Sequence, residues 1–382
     1  MARSIGARRP RPTPRRILLL AMLPIGDTLF ITPTVRALRQ RYPTAHIAAL
    51  TYANNAPILR YAPEVDQIIM LPPIERLAGL VALIPMIAHL HAWRFDVAVD
   101  FTSPAFKWIS LLAGIPLRTY MKFDPLWWLV PQPHTRWRAM HATRIYYECA
   151  RELDLPPWDA IDQRPFVALP ADAQVAGDGF LERHGIAGGE RPLVAMHPGG
   201  AGLGGHKRWP ARHFAEVADH LCERWNAQIV LLGGDEERTL AEEVAALMRH
   251  DSVVAAGALS LLEAFALINR CDLFVGNDSS LLHAAAAQGV PYVGIFGPTS
   301  LANFQPIAAQ RRQGRIAAPS PPARHLSYFI GGRPIWQQAG HDTADDSLAS
   351  IPPALVMSYA DELLAARLTR ENERDLAYMK DR

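Results

Sequence analysis

The stretch Leu273-Phe274-Val275-Gly276-Asn277-Asp278-Ser279-Ser280-Leu281-Leu282-His283 decides the fold. An apolar run of strand length stops at a Gly-Asn-Asp turn, and alanines at 284–287 follow at once, so the stretch reads as strand, tight loop and helix. In an open parallel sheet such loops lie at the carboxyl ends of the strands, where a helix N-terminus turns unpaired N–H groups and a partial positive charge towards an anion. Ser279 and Ser280 stand where those amides fall. Two uses stay open: a ligand-holding loop, or a plain helix cap made by Asp278 or Ser279.

Outward from this stretch the same pattern recurs. Residues 17–21 form a continuous apolar run, as expected of a strand buried on both faces. The run ends at Pro24-Ile25-Gly26-Asp27-Thr28, before a helix with Thr32 and Pro33 at its start and Val35, Leu38 and Tyr42 on one stripe. Further strands are expected at 46–50, 67–71 and 96–99, with helices at 53–61, 75–93 and 140–153. Between 155 and 191 the pattern breaks into Pro-Pro, Gly-Gly and mixed polar residues, and then restarts with a strand at 193–196. A glycine-rich loop leads to a helix from Pro210 whose Phe214, Val217, Leu221 and Trp225 share a face. A strand at 228–232 ends at Gly233-Gly234-Asp235-Glu236-Glu237, and Ser260-Leu261-Leu262-Glu263 is a capping box opening the helix to Asn269. No element is assigned from 313 to 350, and 353–368 reads as helix. The alternation of strand and helix predicts an α/β fold in two similar halves.

A chain of 382 residues, 49% hydrophobic and 20% charged, buries a large core and suits two domains. Cys149, Cys222 and Cys271 are widely spaced and odd in number, which argues against a disulfide framework or a cysteine zinc site and fits a reducing cytoplasm. The net charge of +2 hides an asymmetry: residues 1–16 hold six arginines and no acid, leaving 33 basic against 37 acidic residues in the body. That tail reads as a disordered basic arm, with attraction to an anionic membrane surface as its functional option. No secretory signal is read, because the apolar run after the arm is short and leads into Gly26-Asp27. The longest apolar stretch, 77–90, is interrupted by Pro85 and too short to span a bilayer.

Four loops end four strands: those of Asp27, of 199–207, of Glu237 and of Asp278. The last three contain what a nucleotide diphosphate needs, namely glycines (Gly199, Gly200), a cation (Lys207), a carboxylate for ribose hydroxyls (Glu237) and a helix N-terminus at Ser279-Ser280. Each has a plainer use: Lys207 as a solvated lysine, Glu237 as a first-turn glutamate, His283 as a core or capping histidine and Asp27 as a helix cap. Asp27 is otherwise the first half's general-base candidate, a carboxylate in a cleft that can accept a hydroxyl proton. The run Gly200-Ala201-Gly202-Leu203-Gly204-Gly205 matches G-x-G-x-x-G formally, but the helix starts too late for dinucleotide geometry. A Walker A loop is excluded, since no Ser or Thr follows Lys207. There is no Asp-x-Asp, and His89, His91, His134 and His141 lack zinc spacing, so no metal or cofactor is expected. Trp127, Trp128 and Trp137, beside Arg136 and Arg138, suit either core packing or contact with a headgroup or sugar.

Four short motifs in series then resemble one family. They are Pro24-Ile25-Gly26-Asp27-Thr28 with Thr32-Pro33 and Leu38; His197-Pro198-Gly199-Gly200 with Lys207-Arg208-Trp209-Pro210; Gly233-Gly234-Asp235-Glu236-Glu237; and Gly276-Asn277-Asp278-Ser279 with His283, Gly289-Val290-Pro291 and Phe296-Gly297-Pro298-Thr299. In this order, over about 17–368, the chain resembles the heptosyltransferases of glycosyltransferase family 9. The resemblance implies a GT-B architecture: two Rossmann-like parallel-sheet domains facing across a cleft, with the C-terminal helix crossing back to the first. On that frame residues 1–16 are the basic tail, 17–160 the acceptor-side domain, 161–190 a linker, 191–350 the nucleotide-sugar domain and 351–382 the last helix and tail. It also implies metal-independent, inverting transfer of heptose from ADP-heptose to a lipopolysaccharide-core or other lipid-linked acceptor at the cytoplasmic membrane face. Nucleic acid is not an expected partner.

Carried over residue by residue, the resemblance makes Asp27 the general base and Lys207 the stabiliser of the leaving diphosphate. Glu237 would bind ribose, Asp278 would lie against the donor sugar, and the amides of Ser279 and Ser280 would hold phosphate. His283 matches the family's histidine after that loop. The chain departs from the family at Ser280, where glycine is frequent, in the lengthened donor loop at 202–206, and at 317–346, which lacks the relatives' cysteines. Two other readings stand beside transfer: a GT-B sugar-nucleotide epimerase, and a non-catalytic nucleotide-sugar-binding protein.

Overall fold

The structure is a computed structural model, and it describes residues 13–72, 77–102, 106–120, 140–186, 189, 191–200, 207–297, 299–307, 314–318 and 346–380. The basic arm up to residue 12, the Trp127, Trp128 and Trp137 group, the 202–206 insert and most of 317–346 lie outside the described residues.

In the first half, β1 (Arg16–Ala21), β2 (His46–Thr51), β3 (Gln67–Met70), β4 (Val97–Asp100) and β5 (Leu117–Tyr120) form a sheet of order β3-β2-β1-β4-β5. Every pairing is parallel, with Ile17 in register with Ile47 on one side and Val97 on the other. The helices are α1 (Ile25–Phe30), α2 (Thr32–Arg41), α3 (Ala56–Arg60), α4 (Leu77–Trp93), α5 (Lys107–Leu112) and α6 (Ala142–Cys149). The unbroken apolar run of β1 has a simple cause. Ile17, Leu19 and Ala21 enter the core with Val35, Leu38 and Tyr146, while Leu18 and Leu20 enter the opposite layer with Leu83, Leu90 and Ile109. Side chains alternate across a strand, so both parities must be apolar when both faces are covered.

The second half contains α7 (Ala171–Arg183), β6 (Leu193–His197), α8 (Ala211–Trp225), β7 (Gln228–Leu231), α9 (Arg238–Leu247), β8 (Ser252–Val254) and α10 (Leu261–Asn269). It continues with β9 (Leu273–Asn277), α11 (Ser280–Gln288), β10 (Tyr292–Ile295), α12 (Leu301–Phe304), β11 (Gly314–Ala317), α13 (Asp346–Ala349) and α14 (Pro353–Lys380). Its sheet has the order β8-β7-β6-β9-β10-β11, again all parallel. The strand order reverses between β1 and β4 in one sheet and between β6 and β9 in the other. Those are the points where an open parallel sheet leaves a crevice at its carboxyl ends. Among the described residues no helix is long and apolar enough to cross a membrane.

Several elements have no counterpart in the sequence reading, among them β5, β8 and β10, and two others show why. The expected linker 161–190 contains α7, whose Ala173, Phe180 and Leu181 join the core around α10. A Cβ on Gly177 would stand 3.1 Å from the backbone N of Leu267, so α7 packs through small residues that carry little hydrophobic signal. The sixth strand, β11, is an edge strand with only Ala317 fully buried, too short and polar to stand out. The side chains of the last helix are described as far as residue 369, apart from 368. Its Val356, Ala360, Leu363 and Leu364 pack into the second sheet's core with Phe214 and Leu221 of α8. The region of α12 also meets the first half. There Asn303 Nδ2 donates to Met140 O at 2.8 Å, Gln305 O accepts from His141 Nε2 at 2.8 Å, and Phe304 meets Phe30.

Candidate active site

Asp278 follows β9, and Ser279 caps α11 by accepting the Leu282 N–H at 3.4 Å. The plain capping use of this loop is therefore real, and it leaves the first amides of α11 directed out of the helix. Ser280 is the first helical residue and does not adopt positive φ, so serine fits there without backbone strain.

Lys207 Nζ lies 2.7 Å from Asp278 Oδ2, and His283 Nε2 lies 3.5 Å from Asp278 Oδ1. Burial pushes the Asp278 carboxyl up, but the Lys207 ammonium and the His283 hydrogen bond outweigh it and hold the group well below the usual carboxylate range. His283 is buried, meets Phe30 edge-on at 4.6 Å between centroids, and its Nδ1 has no hydrogen-bond partner among the described residues.

Glu237 turns inward. Its Oε1 accepts the Gly200 N–H at 2.7 Å, and its Oε2 accepts the Gly234 N–H and the His197 Nε2–H, each at 3.0 Å. Burial alone raises this carboxyl; the His197 bond and charge and the two backbone donors reverse the sign and bring it from 4.5 to about 2. Because Glu237 can only accept, His197 donates to it through Nε2, and His197 Nδ1 lies 3.0 Å from the Ser279 hydroxyl. His197 thus ties the Glu237 loop to the Ser279 loop. Gly199 is needed because a Cβ there would overlap Glu237 Oε1 and Cδ. Asn277, fully buried, donates through Nδ2 to Pro198 O and Gly199 O at 2.8 and 2.9 Å and accepts Trp209 N–H at 3.2 Å. Its amide pins both ends of the glycine loop.

Asp27 sits in the first turn of α1, across from this cluster. A Cβ on its neighbour Gly26 would lie 3.3 Å from His283 Cδ2 and 3.8 Å from Ser280 Cα, so the loops after β1 and β9 meet. Tyr146 of α6 donates to Asp27 Oδ1 at 2.8 Å. Burial raises the Asp27 carboxyl above its usual range, against the lowering effects of the Tyr146 hydroxyl, His283 and Lys207; Asp278 adds to the rise.

The structure brings Asp27, Lys207, Asp278, Ser279, Ser280 and His283 into one cluster. Glu237, Gly199 and Gly200 lie beside it, joined through His197. Sequence reasoning did not assign roles to Tyr146, His197 or Asn277. His197 and Asn277 stand within named motifs without a role, whereas Tyr146 lies 119 residues from Asp27 with no local mark. His141 caps α6 through Nδ1 and gives Nε2–H to Gln305, and burial pushes it down to about 4. Among the described residues no group of three His, Cys, Asp or Glu side chains is set to hold a metal.

A family model described as glycosyltransferase family 9 (heptosyltransferase) matches residues 150–327. The chain is 29% identical over 310 residues to lipopolysaccharide heptosyltransferase 2 of Salmonella typhimurium, covering 79% of this chain and 88% of that one. The solved structure of Escherichia coli ADP-heptose lps heptosyltransferase II superposes with a TM-score of 0.70 at 25% identity, over 92% of this chain and 99% of that one. A family 9 glycosyl transferase from Veillonella parvula shares the fold with a TM-score of 0.75 at 23% identity, over 92% and 97%. Two parallel sheets with their switch points facing one cluster give an α/β fold of GT-B type, and the family model and curated relatives mark a glycosyltransferase. The chain is a glycosyltransferase similar to family 9, the heptosyltransferase family, over most of its length.

Proposed function

We propose that the protein transfers heptose from ADP-heptose, with inversion and without a metal, to a lipopolysaccharide-core or other lipid-linked acceptor. The observation that carries this is the meeting of the Asp27 loop of the first sheet with the Asp278–His283 loop of the second. In this reading the acceptor hydroxyl oxygen attacks the anomeric carbon and its proton passes to Asp27. The bond from that carbon to the phosphate oxygen breaks on the opposite face, and ADP leaves with the electron pair. Lys207 and the N–H groups of Ser279 and Ser280 stabilise the charge gained by the diphosphate. Asp278 lies against the donor sugar, and His283 Nδ1 supplies a buried acceptor for one of its hydroxyls. The Gly199-Gly200 loop shapes the nucleotide pocket, and Glu237 offers a remaining lone pair to the ribose. The similarity to the Escherichia coli ADP-heptose lps heptosyltransferase II supports the donor.

The acceptor places the protein at the cytoplasmic face of the inner membrane, with the arginines of 1–16 drawn to anionic lipid. The domain frame proposed with it is 17–160 for the acceptor and 191–350 for the donor, with α7 of the intervening segment packed on the donor side. The test is incubation with ADP-heptose, UDP-sugars and GDP-sugars, each with and without a heptose-free lipopolysaccharide core and with chelator throughout. ADP release that needs both ADP-heptose and the core supports the reading. Epimerised donor without acceptor, or nucleotide binding without any release, refutes it.

A further inference from the structure

The buried tyrosines near the cleft treat their hydroxyls differently. Tyr42 and Tyr147 give theirs to backbone carbonyls, of Leu153 and Pro156. Tyr146, on the same helix as Tyr147, gives its hydroxyl to the side chain of Asp27 at 2.8 Å. Its ring has no exposed surface, meets Phe101 edge-on at 6.0 Å and 82°, and is packed among Ile17, Leu19 and Phe30. Phe101 follows β4 and Asp27 follows β1, so the ring is held at the first sheet's switch point. A clamped phenol has one direction in which to donate.

We propose that Tyr146 is the positioning residue for Asp27: its hydroxyl takes Oδ1, fixes the carboxylate rotamer, and leaves Oδ2 to receive the acceptor proton. This rests on the reading of Asp27 as general base. When the acceptor oxygen attacks the anomeric carbon its proton goes to Oδ2, and the phosphate oxygen departs with the bonding pair. A short bond to the other oxygen stabilises the ionised form before the step and is retained after it. The groups facing Asp27 are Tyr146 from α6, His283 from α11, Lys207 from the loop after β6, and Asp278 from the loop after β9. Burial and Asp278 oppose ionisation; Tyr146 is the directly hydrogen-bonded group that favours it.

The experiment follows Asp27 in two ways. Carbon-13 NMR of aspartate-labelled protein, with Asp27→Asn to assign the signal, reads its titration without substrate. Transfer from ADP-heptose to heptose-free core across pH reads its use. Tyr146→Phe is expected to raise the Asp27 midpoint and the acid limb of kcat/KM together by about one unit, a tenfold loss of rate on that limb, with KM for ADP-heptose unchanged. Fluorotyrosine at position 146, a stronger donor of nearly the same shape, is expected to move both the other way, so the result does not hang on one variant's folding. A packing role alone would lower the melting temperature and move neither midpoint nor limb, and that outcome overturns the proposal. Normal turnover in Asp27→Asn overturns the underlying base assignment, a different result from an unmoved limb in Tyr146→Phe.

Discussion

The ammonium of Lys207 rests 2.7 Å from Oδ2 of Asp278, and both side chains are largely withdrawn from water. The pair holds the cation at the entrance of α11, ready to share it with an incoming diphosphate. Removing the cation strands the carboxylate. Lys207→Met is expected to cost about 3–5 kcal/mol by leaving a buried carboxylate with His283 alone, and to lower turnover by about 10²–10³. Adding Asp278→Asn should restore most of the stability and none of the turnover. Urea unfolding and ADP release separate the two effects; a double variant that stays as unstable as the single one contradicts the pairing.

Asp27→Asn is expected to reduce transfer by about 10²–10⁴ while donor binding, read by thermal shift, persists. It should also stabilise the fold. The folded carboxyl titrates above its ordinary 3.8, so the folded state holds the proton more tightly, and stability falls as pH rises from 3.8 through the raised value. At neutral pH the buried charge is a cost that Asn removes. A higher urea midpoint at pH 7 is the expected result, and a lower one counts against it.

Glu237 has the opposite linkage. Its folded value of about 2, against 4.5, contributes on the order of 3 kcal/mol that is present above pH 4.5 and lost as pH falls towards 2. Asp278 shifts in the same direction. Unfolding curves between pH 7 and 2.5 should therefore show a steep acid loss that Glu237→Gln flattens, and equal slopes in the two proteins would exclude this role.

Neighbouring glycines should respond unequally. An alanine at 199 would drive its Cβ into the Glu237 carboxylate, whereas one at 200 meets, among the described residues, nothing nearer than Lys207 O at 3.6 Å. Gly199→Ala is expected to lose about 2–3 kcal/mol and to weaken nucleotide binding, because the evicted carboxylate leaves buried donors unpaired. Gly200→Ala should stay within about 0.5 kcal/mol in stability. Paired denaturation and ADP-binding measurements decide it.

Local chemistry made much of the molecule legible. The unbroken apolar run of β1, the capping box of Ser260 and Glu263, and the strand-loop-helix of 273–283 each follow from residues within a few positions of one another. Period and capping are local properties, so the α/β class, the approximate places of seven of the eleven strands among the described residues and the loops bearing Asp27, Lys207, Glu237 and Asp278 could be read directly. Helix α7 and strand β11 were hidden because small or half-buried residues carry a weak periodic signal.

The partners of those residues are another matter. That Ser279 both caps α11 and meets His197, that Glu237 folds under the glycine loop instead of standing in solvent, and that Tyr146 points at Asp27 depend on contacts spanning 40 to 119 residues. So does the apposition of Gly26 and His283. The sequence by itself determined which side chains end the strands, because that depends on hydrophobic period and turn chemistry. Only the tertiary structure decided which of them face one another, because strand order and helix packing set distances that no local pattern encodes.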